Sequence, residues 1–249
     1  MRRNSKSPAA IVLATFLSVL LSPSASAWQG YANFFTLDDS DCGSGSGAFC
    51  FGGPWGLADL KSTVETDGSL TLQPNFNTYD DNPGSDYWRD NGGAGPGGNK
   101  RAELNTFNAD TILTGQESAT FSGNVTAYTI DAAYTVVAFT KTFNSAGQFV
   151  TMETAAITAA GNFVVSASLE GLTGGSLQTG FAVTGVNAAG EGTANETALG
   201  SVKVATAPIS YSYSSSSFED ATGIPVMPLW GLLGLAGLIG FMGYRRKQA

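Results

Sequence analysis

The length, composition and charge of the chain exclude several classes of function. The chain has 249 residues, a formal net charge of −8 and no histidine. Without histidine, it cannot form a Ser-His or Cys-His nucleophile pair, a histidine-ligated zinc site or a histidine general base. The segment 28–223 carries all 20 acidic residues against six basic ones, so it repels phosphate backbones, and we expect no nucleic-acid partner.

The N-terminus has the three parts of a secretory signal peptide. Three basic residues precede an apolar stretch over 9–21, and Ala25-Ser26-Ala27 is a small-residue pattern of the kind that signal peptidase cuts. We therefore expect residues 1–27 to be a signal peptide, with Trp28 as the first residue of the exported protein. The alternative is an uncleaved anchor, which needs a longer apolar stretch than this one.

The two cysteines of the chain predict a disulfide bond. Cys42 and Cys50 flank a short loop rich in Gly and Ser in a chain that we expect to be exported, and exported proteins meet oxidising conditions. Closing so short a loop should stabilise the fold by about 2.6 kcal/mol, because it restricts the unfolded chain. A redox or metal-binding role for the pair is the alternative.

Alternating polar and apolar residues predict a body made of β-strands. Asp67-Gly68 lies between the alternating arms of 64–72 and indicates a hairpin. Turns rich in Gly and Asn separate the later segments, and none of them has a helical period. These segments are 119–129, 134–143, 148–154, 162–169, 177–186 and 201–206. We predict an all-β fold, a single antiparallel β-sandwich of jelly-roll type over residues 28–209.

Two segments of the body lack this strand pattern and are predicted to be loops. Residues 28–60 are rich in Gly and Asp with interspersed aromatic residues. Residues 75–100 hold Asp80-Asp81, Tyr87-Trp88 and a stretch of Asn and Gly residues. Long loops with aromatic residues of their own are usually either functional or disordered.

The second of these loops and the strand after it hold the candidate ligand site. Sugars are bound by flat aromatic faces and by planar polar groups that meet their hydroxyls. Strand alternation puts Arg101, Glu103 and Asn105 on one face, and Ala102 and Leu104 on the other. The candidate ligand-binding residues are Tyr79, Tyr87, Trp88, Asn99, Arg101, Glu103 and Asn105. The alternative is an ordinary solvated strand face, with the tryptophan packed in the core.

Two strands in the second half of the body carry a family resemblance. The stretch Ala133-Tyr134-Thr135-Val136-Val137-Ala138-Phe139-Thr140-Lys141 is similar to the small-Tyr-Thr-x-x-Ala strand of a known family, and the closing stretch Gly200-Ser201-Val202-Lys203-Val204 is similar to its last strand. With these strands, residues 107–204 resemble jelly-roll carbohydrate-binding modules. The resemblance implies a glycan-binding face without identifying its residues, and we expect an extracellular polysaccharide as the partner.

The strand with the polar row also supports an enzyme hypothesis. Arg101-Ala102-Glu103-Leu104 resembles the Arg-x-Glu-Leu strand of alginate-lyase-type jelly rolls, in which arginine neutralises a substrate carboxylate and tyrosine moves the proton. The Gln-x-His and Tyr-Phe-Lys strands of that family are absent here. A glycosidase would need two carboxylates about 5–9.5 Å apart, for which Glu103 could pair with Glu153 or Glu170. A lyase or glycosidase is thus one alternative to a binding protein, and a structural surface protein without a ligand is another.

Acidic loops raise the question of a metal ion. Asp38-Asp39-Ser40-Asp41 and the stretch from Asp80 to Asp86 offer the oxygen ligands that calcium prefers, and exported proteins meet calcium. Neither loop has the spacing of an EF-hand. We expect no cofactor other than a structural calcium ion, which these loops could hold.

The C-terminal part of the chain predicts a spacer and a membrane helix. Residues 210–223, with their run of serines, indicate a flexible spacer. Residues 226–244 are uncharged and long enough to cross a bilayer as a helix. Arg245-Arg246-Lys247 follow, and this basic end should stay on the cytoplasmic side.

The short signature before this helix completes a pattern of known type. Val226-Met227-Pro228 stand where such signatures usually have Thr-Leu-Ser or a similar triplet. The residues assigned to the sorting signal are Ile224, Pro225, Pro228, Trp230, Arg245 and Arg246. Residues 224–249 resemble the sorting tails of the PEP-CTERM and IPTL-CTERM kind. The resemblance implies an inner-membrane intermediate, cleavage by a dedicated sorting protease, and transfer to the cell surface or the extracellular matrix. A permanent single-pass anchor is the alternative.

Overall fold

The computed structural model describes residues 27–37, 42, 47–89 and 97–214. Of these residues, 57% lie in strands and 6% in helices. No helix within the described ranges is long and apolar enough to cross a membrane. Residues 1–26 of the predicted signal peptide lie outside the described residues, as do the sorting residues Ile224, Pro225, Pro228, Trp230, Arg245 and Arg246.

The described residues form strands and two short helices. The strands are β1 (Gln29–Thr36), β2 (Phe49–Trp55), β3 (Ser62–Val64), β4 (Leu70–Leu72), β5 (Gly97–Thr111), β6 (Gln116–Tyr128), β7 (Thr135–Phe143), β8 (Phe149–Ile157), β9 (Gly161–Ser168), β10 (Ser176–Ala188), β11 (Val202–Thr206) and β12 (Ser210–Tyr213). The helices are α1 (Asn77–Asp80) and α2 (Ala194–Leu199).

The strands pair in two antiparallel sheets. Sheet A has the order β2-β1-β5-β10-β7-β8. In sheet B, residues 118–120 of β6 pair with both β9 and β12, and residues 123–125 pair with both β9 and β11. Because a strand has only two edges, β9 lies on one edge of β6, while β11 and β12 follow each other along the other. β4 and β3 continue sheet B beyond β11.

The main core fills the space between the two sheets. Phe181 of sheet A is fully buried, and its ring centroid lies 5.4 Å from that of Phe121 and 5.3 Å from that of Phe163, both in sheet B. Burying one such side chain stabilises the fold by about 1.5–3 kcal/mol. Ala102 and Leu104 of β5 belong to the same core. The residues that alternate with them therefore face away from the core.

The all-β prediction is confirmed, and so are the individual strand predictions from residue 119 to residue 206. The predicted hairpin is also present, because Val64 of β3 pairs with Leu70 of β4. Gly68 in its connection has a φ of +80°, which favours glycine, and its amide donates to the carbonyl of Glu65 at 3.0 Å. The disulfide between Cys42 and Cys50 is confirmed as well, with their Cα atoms 4.8 Å apart.

The prediction of a loop over residues 28–60 is wrong, because β1 and β2 lie within it. The composition is misleading since Gly30 and Gly52 lie inside strands, where they leave room for neighbouring side chains. A Cβ atom at Gly52 of β2 would collide with the side chain of Asn33 and touch the ring of Tyr31. Ala32 and Phe34, which alternate with these two residues, are fully buried. The second predicted loop, 75–100, likewise contains α1 and the first residues of β5.

The ordered sheet extends past the predicted domain end at residue 209. Strand β12 lies within the segment 210–223 whose composition indicates a spacer, and it pairs with β6. Tyr211 of this strand donates its hydroxyl hydrogen to Asp110 Oδ2 at 3.1 Å. This bond links sheet B to sheet A at one end of the sandwich.

Tyr134 is a buried residue just before β7, and its side chain contacts β10. The hydroxyl of Tyr134 donates to the carbonyl oxygen of Val186 at 2.8 Å, and its ring covers Gly185, where a Cβ atom would collide with it. Burial raises the pKa of Tyr134 to about 12, and the nearby charge of Asp131 acts in the same direction. The folded protein therefore keeps this hydroxyl protonated above the pH at which the unfolded chain loses its proton.

Tyr134→Phe should reduce the loss of stability at alkaline pH. The pKa of Tyr134 is higher in the folded state, so its contribution is complete below pH 10 and is lost as the pH rises to about 12. Removing the hydroxyl should therefore flatten the fall in the free energy of unfolding across this window, as measured by urea denaturation. Tyr213→Phe, at an exposed position, is the matched control and should follow the parent curve. A Tyr134→Phe curve as steep as that of the parent would contradict the assignment.

Candidate functional site

The outer face of sheet A carries a connected group of polar side chains. Arg101, Glu103 and Asn105 alternate along β5 with the core residues Ala102 and Leu104, so the structure brings these three together on the outer face. Their neighbours on this face come from β1 and β7. We call the whole group the outer polar cluster, and its members are Asn33, Arg101, Glu103, Asn105 and Lys141.

Hydrogen bonds link four members of the outer polar cluster across sheet A. Glu103 Oε1 accepts from Asn33 Nδ2 at 3.0 Å and from Asn105 Nδ2 at 2.9 Å. Asn105 Oδ1 in turn accepts from Lys141 Nζ at 2.8 Å. The last bond passes over β10, where the outward residues Gly180 and Ala182 are both small. The network therefore holds its side chains in fixed positions before any ligand arrives.

The side chain of Lys141 lies over an apolar surface. Its ammonium group lies 4.4 Å from the ring centroid of Phe139, which is fully buried and packs with Phe107 and Ala182 in a small cluster separate from the main core. Burial lowers the pKa of Lys141, although the charge of Glu103 acts in the opposite direction. The lysine is thus less strongly hydrated than a surface lysine and has a fixed direction.

Aromatic rings lie beside the polar network. The Arg101 guanidinium is 4.6 Å from the ring centroid of Phe35, while the side chain of Arg101 remains exposed. Tyr31 is 36% exposed and is the register partner of Asn105. Its ring lies close to Gly52 of β2, where the absence of a side chain leaves room for it. The outer face therefore offers aromatic surface next to planar hydrogen-bonding groups.

The charge of this face is opposite to that of the body as a whole. Arg101 and Lys141 are two of the six basic residues of the segment 28–223, which carries 20 acidic ones. Among the described side chains that β1, β5, β10 and β7 direct outward, Glu103 is the only carboxylate. The face is thus a locally cationic region on an acidic protein, and it favours anionic ligands.

Sequence reasoning missed Asn33, Tyr31, Phe35 and Lys141 as members of this face. Three of them lie in β1, where the glycine-rich surroundings hide a regular alternation that could have indicated a strand. Lys141 lies in a predicted strand, but no local pattern shows that β7 and β5 flank the same neighbour, β10.

The aromatic residues of the predicted site lie elsewhere. The ring centroid of Trp88 is 5.0 Å from that of Phe34 and 6.0 Å from that of Phe51, both on the core side of the sheet. Tyr87 packs against Trp88 with centroids 4.9 Å apart, and the Lys100 ammonium lies 4.4 Å from the Tyr87 ring. These aromatic rings close one end of the core and do not join the outer polar cluster.

Tyr79 and Asn99 hold the loop that follows α1. Tyr79 is buried, with the guanidinium of Arg89 4.1 Å from its ring centroid. The side-chain amide of Asn99 donates to the carbonyl oxygens of Asp86 and Arg89. Both residues therefore contact the loop over 81–89, and the contacts of Asn99 fix it against the start of β5.

Asp80 and Asp81 of the predicted calcium loops have other partners, and the side chain of Asp81 accepts from Asn77. Asp80 Oδ1 accepts from the amide of Gly190 at 3.2 Å, and Asp80 Oδ2 accepts from the amide of Glu191 at 2.7 Å. No group of three or more His, Cys, Asp or Glu side chains in the described part of the chain could hold a metal ion. The other acidic loop, Asp38-Asp39-Ser40-Asp41, lies outside the described residues.

The carboxylate pairs considered for a glycosidase are too far apart. Glu103 on β5 and Glu153 on β8 are separated by three strand spacings, about 14 Å, and Glu153 pairs with Thr140 of the inner face. Glu170 follows Leu169, which packs with Ile112 next to Thr111 at the end of β5, and Thr111 is eight residues from Glu103. This distance is about 27 Å along an extended strand. Neither pair can flank one glycosidic bond.

Comparison with known proteins identifies no family. No protein-family model matches the chain, and no curated protein matches it. The geometry of the described residues is therefore the basis for assigning a function.

Trp88→Ala should destabilise the protein. The substitution removes a half-buried indole from the packing against Phe34 and Phe51, which should lower the free energy of unfolding by about 3 kcal/mol. Urea denaturation followed by circular dichroism measures the difference. Phe149→Ala is the matched control, because Phe149 is 59% exposed, and it should change stability by no more than about 0.5 kcal/mol. Equal midpoints for Trp88→Ala and the parent would show that this ring does not support the core.

Proposed function

We propose that this protein is an exported envelope protein that binds an acidic extracellular polysaccharide on the outer face of sheet A. The observation that carries the proposal is the bonded network from Asn33 through Glu103 and Asn105 to Lys141, with the exposed Arg101 beside it. Polar groups held in this way lose little conformational freedom when a ligand binds.

Each part of the face suits one part of an acidic sugar. The planar guanidinium of Arg101 can form two parallel hydrogen bonds with a sugar carboxylate, a geometry that lysine cannot supply. Lys141 adds a second cation at Asn105, which lies four residues or about 13 Å along β5 from Arg101. Glu103 Oε2, which has no partner among the described residues, can accept a hydrogen bond from a sugar hydroxyl. The ring of Tyr31 offers apolar surface to the CH side of a sugar.

A polysaccharide lyase acting on the same face is the second candidate. It is favoured by the lowered pKa of Lys141, which makes the neutral amine more accessible as a proton acceptor. In such a reaction Asn105, which contacts Lys141, would bind the substrate carboxylate, and Lys141 would take the proton from the carbon next to it. The bond from the adjacent carbon to the glycosidic oxygen would break, and that oxygen would be protonated from water. The product would carry a new carbon–carbon double bond, which absorbs ultraviolet light.

Binding to polygalacturonate and to dextran, measured with the full-length chain by isothermal titration calorimetry, tests the proposal. The parent should prefer the anionic polymer, and added salt should weaken the interaction because it screens exposed charges. Arg101→Ala should lower the affinity by roughly tenfold or more, because a charge-assisted hydrogen bond contributes about 1.5–3 kcal/mol. Arg101→Lys should recover only part of the loss, since it restores the charge without the planar group.

Lys203→Ala is the matched control for this experiment. Lys203 is a basic residue of β11 in sheet B and pairs with Asp67, so its removal changes the net charge equally without altering the outer face of sheet A. If Lys203→Ala and Arg101→Ala lose the same affinity for polygalacturonate, net charge alone explains the loss, and the proposed site is wrong. If the parent binds polygalacturonate no better than dextran, the proposed function is wrong. Growth of ultraviolet absorbance during incubation with polygalacturonate would favour the lyase.

The location of the protein is proposed from its two ends. The charged and apolar parts of residues 1–27 support export, and the sorting residues of 224–249 support an inner-membrane intermediate followed by release or transfer. A polysaccharide-binding face would then act at the cell surface or in the extracellular matrix.

Two epitope tags can follow this maturation. With one tag at the N-terminus of the mature protein and one at the C-terminus, the first should reach the cell surface or medium while the second stays in the inner membrane. Pro225→Ala should reduce the separation of the two tags, because it alters the signature, whereas Ser216→Ala in the predicted spacer should not. Both tags on a single full-length species in the inner membrane would favour the permanent anchor and contradict sorting.

A further inference from the structure

A cavity of about 680 Å³ lies between the two sheets, on the opposite side of β5 from the outer polar cluster. Its walls include Asn108 and Asp110 of β5, Thr179 of β10, and Tyr211 of β12. Trp28 also lines it, just before the start of β1. Cavities of this volume in proteins commonly hold small molecules.

The sheet A wall of this cavity is polar where a sandwich core is normally apolar. Thr140, Thr179 and Asn108 are register partners across β7, β10 and β5 on the inner face. Asn108 Oδ1 is buried and has no hydrogen-bond partner within the described part of the chain, and the same holds for the hydroxyls of Thr140 and Thr142. A buried polar atom without a partner costs free energy unless water or a ligand satisfies it. The other polar atom of this side chain, Asn108 Nδ2, is not among these buried atoms, so Asn108 offers the cavity a hydrogen-bond donor.

The charge and the aromatic surface of the cavity restrict the ligand. Asp110 is the only charged side chain among the described lining residues, so the cavity disfavours anions. Its Oδ2 atom accepts from the Tyr211 hydroxyl at 3.1 Å, which fixes the tyrosine ring at the wall. Burial raises the pKa of Tyr211, with the charge of Asp110 acting in the same direction, so the hydroxyl stays protonated and keeps donating. Trp28 and Tyr213 add further aromatic surface.

We propose that this cavity binds a single neutral sugar unit, such as the end of a glycan chain. Its hydroxyls would accept from Asn108 Nδ2 and donate to Asp110, and its CH face would pack against the rings of Trp28 and Tyr211. A purely apolar ligand would leave the Asn108 side-chain N–H groups without a hydrogen-bond acceptor. This site is independent of the proposed binding of an acidic polysaccharide, because it lies on the other side of β5 and has the opposite charge.

Free sugars added to the full-length chain test this site. The probes are D-glucose, D-galactose, D-mannose and N-acetyl-D-glucosamine, each monitored by the melting temperature and by tryptophan fluorescence. At least one of them should raise the melting temperature in proportion to the logarithm of its concentration, because it binds the folded state alone. D-glucuronate, the anionic counterpart of D-glucose, should bind roughly tenfold more weakly than the best neutral sugar because of Asp110.

The variant Asn108→Leu distinguishes a ligand-binding site from a core that only contains an unpaired polar atom. It removes the unsatisfied oxygen and fills space, so the protein should remain folded with a melting temperature at or above that of the parent. The sugar response should nevertheless fall by roughly tenfold or more. Thr142→Val is the matched control, because it removes another unpaired buried hydroxyl that does not line the cavity, and its sugar response should equal that of the parent.

Three outcomes would overturn the proposal. They are the absence of any response of the parent to all four neutral sugars, an unchanged response in Asn108→Leu, and an equal loss of response in Thr142→Val. Arg101→Ala should bind the free sugars as the parent does, because Arg101 lies on the outer face. Failure of polygalacturonate binding with an intact sugar response would therefore contradict only the outer site.

Discussion

The alternation of side chains along β5 is the constraint on which the rest of the structure depends. This strand has 15 residues and lies between β1 and β10 in sheet A. Ala102 and Leu104 must lie in the core, because they would otherwise expose apolar surface on the outer face of sheet A. With that choice made, Arg101, Glu103 and Asn105 can only face outward. A shift in pairing register by one residue would bury the charges and is therefore strongly disfavoured.

The inner side of the same strand changes character along its length. From Ala102 to Leu104 it is apolar, at Thr106 it hydrogen-bonds to Ser62 across the interior, and at Asn108 and Asp110 it lines the cavity. The sandwich is thus packed at one end and open at the other. The outer polar cluster favours anions, whereas the cavity on the other side of the same strand disfavours them. A substitution on one side of β5 can therefore change one region and leave the other intact.

The outer polar cluster shows how neighbouring strands set the chemistry of a residue. Glu103 would be an ordinary surface carboxylate if β1 did not place Asn33 beside it, and Lys141 would be an ordinary surface lysine without its bond to Asn105. Small residues on β10 and β2 make these contacts sterically possible. The glycines of this protein therefore contribute to the arrangement of its surface as well as to its turns.

Much of this molecule could be predicted from local sequence patterns. A period of two residues identified the all-β class and most strands, and the loop between Cys42 and Cys50 was short enough to indicate their disulfide. The placement of Arg101, Glu103 and Asn105 on one side of a strand followed from the same period. These features depend on residues close together in the chain, so the amino-acid sequence by itself determined them.

Only the tertiary structure decided which strands became neighbours. Asn33 and Glu103 are 70 positions apart, and Lys141 and Asn105 are 36 apart, so no local pattern could place them in contact. The sequence around Trp88 fits a ligand-binding residue as well as a core residue, and only its contacts with Phe34 and Phe51 show that it packs against the core. The cavity likewise depends on the distance between two sheets and on the path of β12. Such features arise from contacts between segments that are distant in the chain, and these contacts form only when the whole chain folds.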